Sequence, residues 1–493
     1  MTAAIPLLAS LALGYLTLMT VLKGVNRLNG PLTLVLSAGL GIGLNAIITY
    51  YGFLLFGGFG RGMIAELTGG AVLVLVGINA RTLAAQARNL KWRFSLWSIP
   101  AGILWGLALY VIVFMAYRHP YGEWDAWALY NMKMKFLIGS GEHWKDIFTR
   151  LHWYTQPDYP LLLPFINVHQ FALSQTAQAV VPLITGVVFS MLIVWLLFGA
   201  LRQVAPAYVA FFASFLLLVN PFYVFQGTSQ YADTVLAFYL LASVVCLNLT
   251  ALHRCRGMAT VSGLVMGLMS FTKNEGLVMS ILLTGSFGLY LLCRRVPAAQ
   301  KKQDLLLIPC LLLGYAVTSS ATVILKLFLA PANKDIFGGA AGAEMEYLNM
   351  NGLTITAQAL GKELTHQRWA LMWWFVLGLA VLANRRLFHK ENKIYLGFFA
   401  SYLGVLLVIY LTTVNFDLGW RLKSTLPRIL FYLLPTVLFA VNWAIYRYRH
   451  QPPTEPLPAA QNEEQLDEEQ VGPPDEAMIQ EPQPEESRES VTR

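Results

Sequence analysis

The stretch FSLWSIPAGILWGLALYVIVFMAY, Phe94 to Tyr117, contains no charged residue and decides the fold class. At 1.5 Å per residue such a run, wound as a helix, crosses ~30 Å of hydrocarbon. Thr234 to Leu252 and Ile394 to Phe416 are uncharged runs of the same kind, in a chain that is 56% hydrophobic and only 13% charged. These numbers exclude an ordinary water-soluble protein and predict an all-α polytopic membrane protein. Apolar runs centred near residues 13, 44, 71, 105, 188, 214, 242, 265, 284, 315, 377, 404 and 438 give about 13 transmembrane helices. The first of them, Ala4 to Leu22, has no basic leader and runs on into further spans, so it reads as a retained anchor.

Charge is divided along the chain. The stretch 451–493 carries 12 acids and 2 arginines, so the overall +8 conceals 33 basic against 15 acidic residues in the first 450. Rich also in Pro and Gln, 451–493 cannot bury enough apolar surface to offset its chain entropy and is expected to be a disordered acidic cytoplasmic tail. Upstream, Lys and Arg cluster at Lys23/Arg27, Arg81/Arg88/Lys91/Arg93, Arg202, Arg254/Arg256, Arg294/Arg295/Lys301/Lys302, Arg385/Arg386/Lys390/Lys393 and Arg447/Arg449, after every second span. The positive-inside rule makes those turns cytoplasmic, with the N-terminus external and the C-terminus inside. Orientation and lipid phosphates account for this basic charge, and no soluble basic stretch points to nucleic acid. Cys246, Cys255, Cys293 and Cys310 sit in apolar runs or beside basic turns and form no disulfide or zinc pattern.

On that orientation 13 of the 15 acids before the tail lie on the external face, and the long loop spanning 117–176 crowds Glu123, Asp125, Glu142 and Asp146 together, with Asp158 further along it. In HPYGEWDAWALYNMKMKFLIGSGEHW, Trp127, Tyr130, Met134 and Leu137 recur at helical spacing, which predicts an interfacial helix with Asp125 at its N-terminal end. An aspartate there either caps the helix or serves a site. Further on, HWYTQPDYPLLLPF holds Asp158 between prolines, in an ordered turn or in a site. Asp233 in SQYADTVLAFYLLAS opens a helix and again either caps it or is functional. Lys273, Asn274 and Glu275 form a tight external turn in GLMSFTKNEGLV, as a snorkelling ion pair or as part of a site. In WRLKSTLPRILFYLLP, Arg428 is placed just before the last span, where a helix N-terminus disfavours a cation and a nearby anion would relieve it.

This order of features resembles the GT-C class of membrane glycosyltransferases, which includes protein O-mannosyltransferases and the aminoarabinose transferase of lipid A. In that class an acidic pair opens the first large external loop, followed by a pattern similar to FLIGSGEHW and then by a Glu-Lys-Pro-Pro-Leu motif. Asp125 falls on the first, catalytic acid of the pair; Ala126 replaces the second, and QPDYPLL replaces the Lys-Pro-Pro motif. The resemblance covers residues 94–450, with 1–93 as a three-helix addition before the core. It implies transfer of a sugar, with inversion, from a polyprenyl-phosphate donor to a lipid, glycan or protein hydroxyl at the external face of a bacterial inner membrane.

In that scheme Asp125 is the general base. Arg428, with Lys273 and Arg421 or Lys423, neutralises the departing phosphate, and Glu123, Asp158, Asp233 and Glu275 orient sugar hydroxyls. Trp124, Trp127, Trp144 and Trp153 are either an interfacial belt or stacking surfaces for a pyranose. Glu123 and Asp125 have the spacing of a short acidic metal motif, but one pair without a histidine beside it assigns no metal ligand. The rival classes are a polysaccharide polymerase or ligase, whose signature is arginine-dominated late loops, and a transporter of lipid-linked sugars, which calls for broken or ionisable mid-membrane helices.

Overall fold

Glycine, asparagine and proline stop several of the helices of this chain, as at Gly57, Asn384 and the Asn220–Pro221 pair. In the computed structural model, which describes residues 4–23, 28–87, 98–174, 176–332, 350–412 and 418–448, all regular structure is helical. The helices are α1 (Ala4–Leu22), α2 (Gly30–Phe56), α3 (Arg61–Ala87), α4 (Ser98–Arg118), α5 (Asn131–Gly139), α6 (Leu162–Leu173), α7 (Val181–Leu201), α8 (Ala207–Leu218), α9 (Pro221–Thr228), α10 (Ala232–His253), α11 (Arg256–Ser270), α12 (Asn274–Cys293), α13 (Ala298–Leu305), α14 (Leu307–Ile324), α15 (Met350–Leu364), α16 (Met372–Ala383), α17 (Lys393–Thr412) and α18 (Leu418–Arg447). The acidic stretch 451–493, expected to be disordered, lies outside the described residues, as does the 93/94 boundary.

Among the described residues 10 helices are long and apolar enough to cross a membrane, or up to 11 if one bent pair counts as a span. The chain is an integral membrane protein by this measure, with fewer full-length spans than the 13 apolar runs suggest. All 13 runs are helical, but those centred near 214, 265 and 377 fold as α8, α11 and α16, of 12, 15 and 12 residues. Twelve residues reach only about 18 Å, well short of the hydrocarbon thickness. α8 ends because Asn220 caps the next helix, its Oδ1 accepting from the Tyr223 amide at 2.9 Å, and Pro221 supplies no N–H to continue the ladder. α9 therefore leaves at 67° to α8.

α10 is the axis of the bundle: 94% of its apolar window is buried, against 11% for α4, whose surface is left for lipid. α2 is nearly as central, with 78% of its apolar window buried. Tyr239 of α10 donates to the Gly39 carbonyl at 2.9 Å, Tyr51 pairs with Ser320 of α14 at 2.6 Å, and Asn29 donates to the Gly199 carbonyl of α7 at 2.8 Å. Residues 1–449 form one compact unit.

Small residues set the closest helix contacts, as expected where lipid supplies no hydrophobic drive for association. α11 and α14 approach until a Cβ on Gly263 would stand 2.0 Å from the Leu311 carbonyl oxygen, and one on Gly314 2.1 Å from that of Thr260. This contact fixes α11, and with it the turn that carries Lys273. Gly314→Leu should therefore lower the unfolding temperature in detergent and the yield of monodisperse protein, a cost of about 2 kcal/mol or more. Gly288→Leu on α12, where a Cβ would meet nothing within 4 Å, should change neither.

Candidate functional site

The loop bearing Asp125 is held by a second loop, Ser229 to Tyr231. Glu123 donates its amide to the Ser229 carbonyl at 3.2 Å, Asn131 donates to Gln230 Oε1 at 2.9 Å, and Gln230 donates to the Pro120 carbonyl at 3.0 Å. The Asp125 amide reaches the Tyr231 hydroxyl at 3.4 Å. Gly122 makes this docking possible: its φ is +68°, and a Cβ would lie 2.6 Å from the Ser229 carbonyl oxygen. From Ala126 to Tyr130 the chain takes a π turn before entering α5. Asp125 precedes that turn in helical geometry and its side chain caps nothing, so the capping alternative fails for it.

Its carboxylate is directed at α18 instead. Arg428 Nη1 donates to Asp125 Oδ2 at 2.6 Å, and Nε of the same guanidinium donates to Asp233 Oδ2 at 2.6 Å. Tyr231 forms a wall, its ring centroid 4.8 Å from the guanidinium carbon. The other oxygen of Asp233 accepts from Lys273 Nζ at 2.9 Å, and Lys273 also pairs with Glu275 at 3.1 Å. Three carboxylates and two cations thus converge from the Asp125 loop, α10, the α11–α12 turn and α18. Asp233 and Lys273 are buried, while the side chains of Arg428 and Asp125 stay 24% and 20% exposed. The cluster has a concealed half and an accessible edge.

Two expectations are corrected by this geometry. Lys273 does not snorkel: burial works against its charge, but Asp233 and Glu275 outweigh burial and hold the ammonium protonated above its ordinary range. Arg428 is not at a helix N-terminus. α18 begins at Leu418, so Arg428 lies in its third turn, and the anions that relieve it are the protein's own. Asp233 also makes no capping bond.

The same turn reaches a second polar group. Asn274 donates to Asp158 Oδ2 at 2.9 Å and accepts from Lys326 Nζ at 2.7 Å, and Lys326 lies 3.6 Å from Asp158 Oδ2. Beside it the buried Lys133 donates to the Gln156 carbonyl at 2.6 Å. Asp158 is therefore a neighbour of the main cluster and not a member. Glu123 enters no ion pair among the described residues, and Arg421 stands two turns before Arg428 on α18 with its guanidinium 6.0 Å from the Tyr410 ring. No family model, curated protein or solved structure matches this chain.

Among the described residues no group of three or more His, Cys, Asp or Glu is placed to hold a metal ion. Trp144 is not a stacking surface: it is fully buried, edge-on to Phe53 at 5.6 Å. Trp124 and Trp127 are exposed and meet at 4.4 Å, and the Trp153 side chain lies outside the described residues. Tyr130, Met134 and Leu137, expected on an interfacial stripe, are buried in the core instead. Lys133, Lys326 and Tyr231 escaped the sequence reading. Lys326 had a signal, as a lone cation following the apolar stretch from Leu305 to Leu325.

Two predictions follow from burial. Asp233→Asn removes one of the two carboxylates that pair with the buried Lys273 and one of the two that hold Arg428, and should cost about 3 kcal/mol in thermal unfolding, with part of the loss recovered in Asp233→Asn/Lys273→Met. Strict additivity would mean the pair is not coupled. Burial pushes the Lys133 ammonium down to about 7, with Lys326 adding to the effect against the opposing pull of Asp158. Its folded value lies below its unfolded one, so the unfolded chain binds the extra proton between about 7 and 10.5. Stability should rise with pH across that window and lose that increment in Lys133→Met.

Proposed function

We propose that this protein is a membrane glycosyltransferase that moves a sugar from a polyprenyl-phosphate donor to an acceptor hydroxyl, with inversion, at the external membrane face. The observation that supports this reading most is the pairing of Asp125 with Arg428 at the accessible edge of a buried ion cluster. A lipid-anchored donor cannot leave the bilayer, so its site must lie at the membrane boundary. α10 carries Asp233 in its first turn and is followed directly by Arg254, about 32 Å further along its axis. The acidic cluster and the basic turns therefore occupy opposite ends, and the positive-inside rule puts the acidic end outside.

Asp125 has the arrangement of a positioned base. Arg428 occupies Oδ2, which leaves Oδ1 for an incoming hydroxyl. As the acceptor oxygen bonds to the anomeric carbon, its proton passes to Asp125. The bond between that carbon and the phosphate oxygen breaks, and its electron pair leaves on polyprenyl phosphate. The carboxylate also stabilises positive charge developing on the sugar ring. Cations on the same side offset negative charge growing on the leaving group, an effect worth roughly 3 kcal/mol per well-placed donor.

The test is purified protein given a panel of polyprenyl-phosphate sugars, with release of free polyprenyl phosphate as the signal. Asp125→Asn should lower turnover about 10²- to 10⁴-fold while leaving donor binding within a few-fold. Normal turnover by that variant would remove the base from the scheme.

A further inference from the structure

Tyr231, which the sequence does not single out, touches both members of the Asp125–Arg428 pair. Its hydroxyl accepts from the Asp125 amide at 3.4 Å, and its ring centroid lies 4.8 Å from the Arg428 guanidinium carbon. The first contact is long for a hydrogen bond, so the ring shares the hold. Two residues further on, Asp233 accepts from Nε of the same guanidinium at 2.6 Å, and Arg428 Nη1 donates to Asp125 Oδ2 at 2.6 Å. The contacts therefore close a circuit. It runs from Asp125 to Arg428 and Asp233, back along the chain to Tyr231, and from its hydroxyl to Asp125 again.

The neighbouring contacts do not replace this circuit. Ser229 and Gln230 hold the loop through the Glu123 amide, the Pro120 carbonyl and Asn131, and none of these bonds reaches residue 125. The Asp125 side chain makes no cap bond to the π turn that follows it, so that turn does not orient the carboxylate. An arginine free to choose gives a carboxylate two parallel N–H groups. Here Nε is committed to Asp233 and the tyrosine ring covers one face of the guanidinium, so Asp125 receives Nη1 on Oδ2 and keeps Oδ1 open. Burial pushes the Tyr231 hydroxyl up to about 12, with the Asp125 carboxylate adding to the rise. The phenol is therefore neutral at physiological pH and does not compete with Asp125 for the guanidinium.

We propose that Tyr231 is a positioning residue, which holds the Asp125 carboxylate to Arg428 by one oxygen and keeps the other free to accept a proton. Its effect on turnover rests on the transferase reading above; its hold on Asp125 does not. A base displaced by about 1 Å loses roughly 10²-fold in rate, because a reacting atom tolerates little misalignment. Binding of the donor depends on other contacts. Loss of Tyr231 therefore acts on kcat and leaves donor affinity in place.

Two variants of the full-length protein in nanodiscs separate hydroxyl from ring: Tyr231→Phe removes the first contact, and Tyr231→Leu removes both. Amide hydrogen exchange on peptides covering 123–130 should quicken about threefold in Tyr231→Phe and about tenfold in Tyr231→Leu, with peptides from the middle of α10 unchanged. For a polyprenyl-phosphate sugar that the native protein transfers, kcat should fall about tenfold or more in Tyr231→Leu and less in Tyr231→Phe, with the donor KM within about twofold. In an Asp125→Asn background the same substitutions should change residual turnover by less than about twofold, since no base is left to position. Unchanged exchange at 123–130 in Tyr231→Leu overturns the hold on Asp125. A raised KM with normal kcat marks a residue that touches the donor and overturns the positioning role, as does an equal fractional loss in the Asp125→Asn background. If the native protein transfers no sugar in the panel, the transferase reading fails, and the exchange comparison alone decides whether Tyr231 holds Asp125.

Discussion

A guanidinium shared by two carboxylates organises one end of this molecule. Arg428 sits in the third turn of a helix whose own backbone offers it nothing, and burying its charge without partners would cost several kcal/mol. Asp233 and Asp125 meet that need from opposite sides, the first from the most buried helix of the bundle and the second from a loop. The loop is thereby tied to the core by a charge and not only by its backbone contacts to residues 229–231. A carboxylate that would be mobile on a surface loop is fixed to within one hydrogen bond.

The buried half of the cluster holds two of its five charged residues, Asp233 and Lys273. Their work is to set the potential and orientation of Arg428 and Glu275, which are accessible. This separates residues that hold the cluster from residues at its accessible edge, a division the sequence reading did not make when it set Asp233 beside Glu275 on sugar hydroxyls and Lys273 beside Arg428 on the phosphate.

Helical class and the presence of charged residues at the edges of apolar runs were legible because they depend on residue type and spacing. Uncharged runs could be counted, and an acid at 125, an acid at 233, a lysine at 273 and an arginine at 428 each stood at the edge of such a run. Which of them touch was not legible, since contacts between residues 303 positions apart depend on how helices pack. Among the described residues 10 helices are long and apolar enough to span where 13 apolar runs were counted, and the run near 214 shows why: Asn220 and Pro221 break it although its composition still reads as apolar. Trp144 and Tyr130 misled for a related reason: a loop helix that packs on α2 and α6 shows the same aromatic periodicity as one lying among lipid headgroups. Lys133 and Lys326 were passed over because each is a single cation with no neighbouring motif.

Three consecutive residues, Lys273, Asn274 and Glu275, face three different tasks: a buried aspartate, the Asp158 group and the accessible edge. Because they open a helix, their directions are spaced by its pitch, and one inserted residue would turn α12 by about 100° relative to its start. Each side chain would then inherit its neighbour's surroundings. The length of this turn is thus as strict a requirement as the identity of its residues, and size variation among functional descendants should be tolerated in the long loops before it is tolerated here.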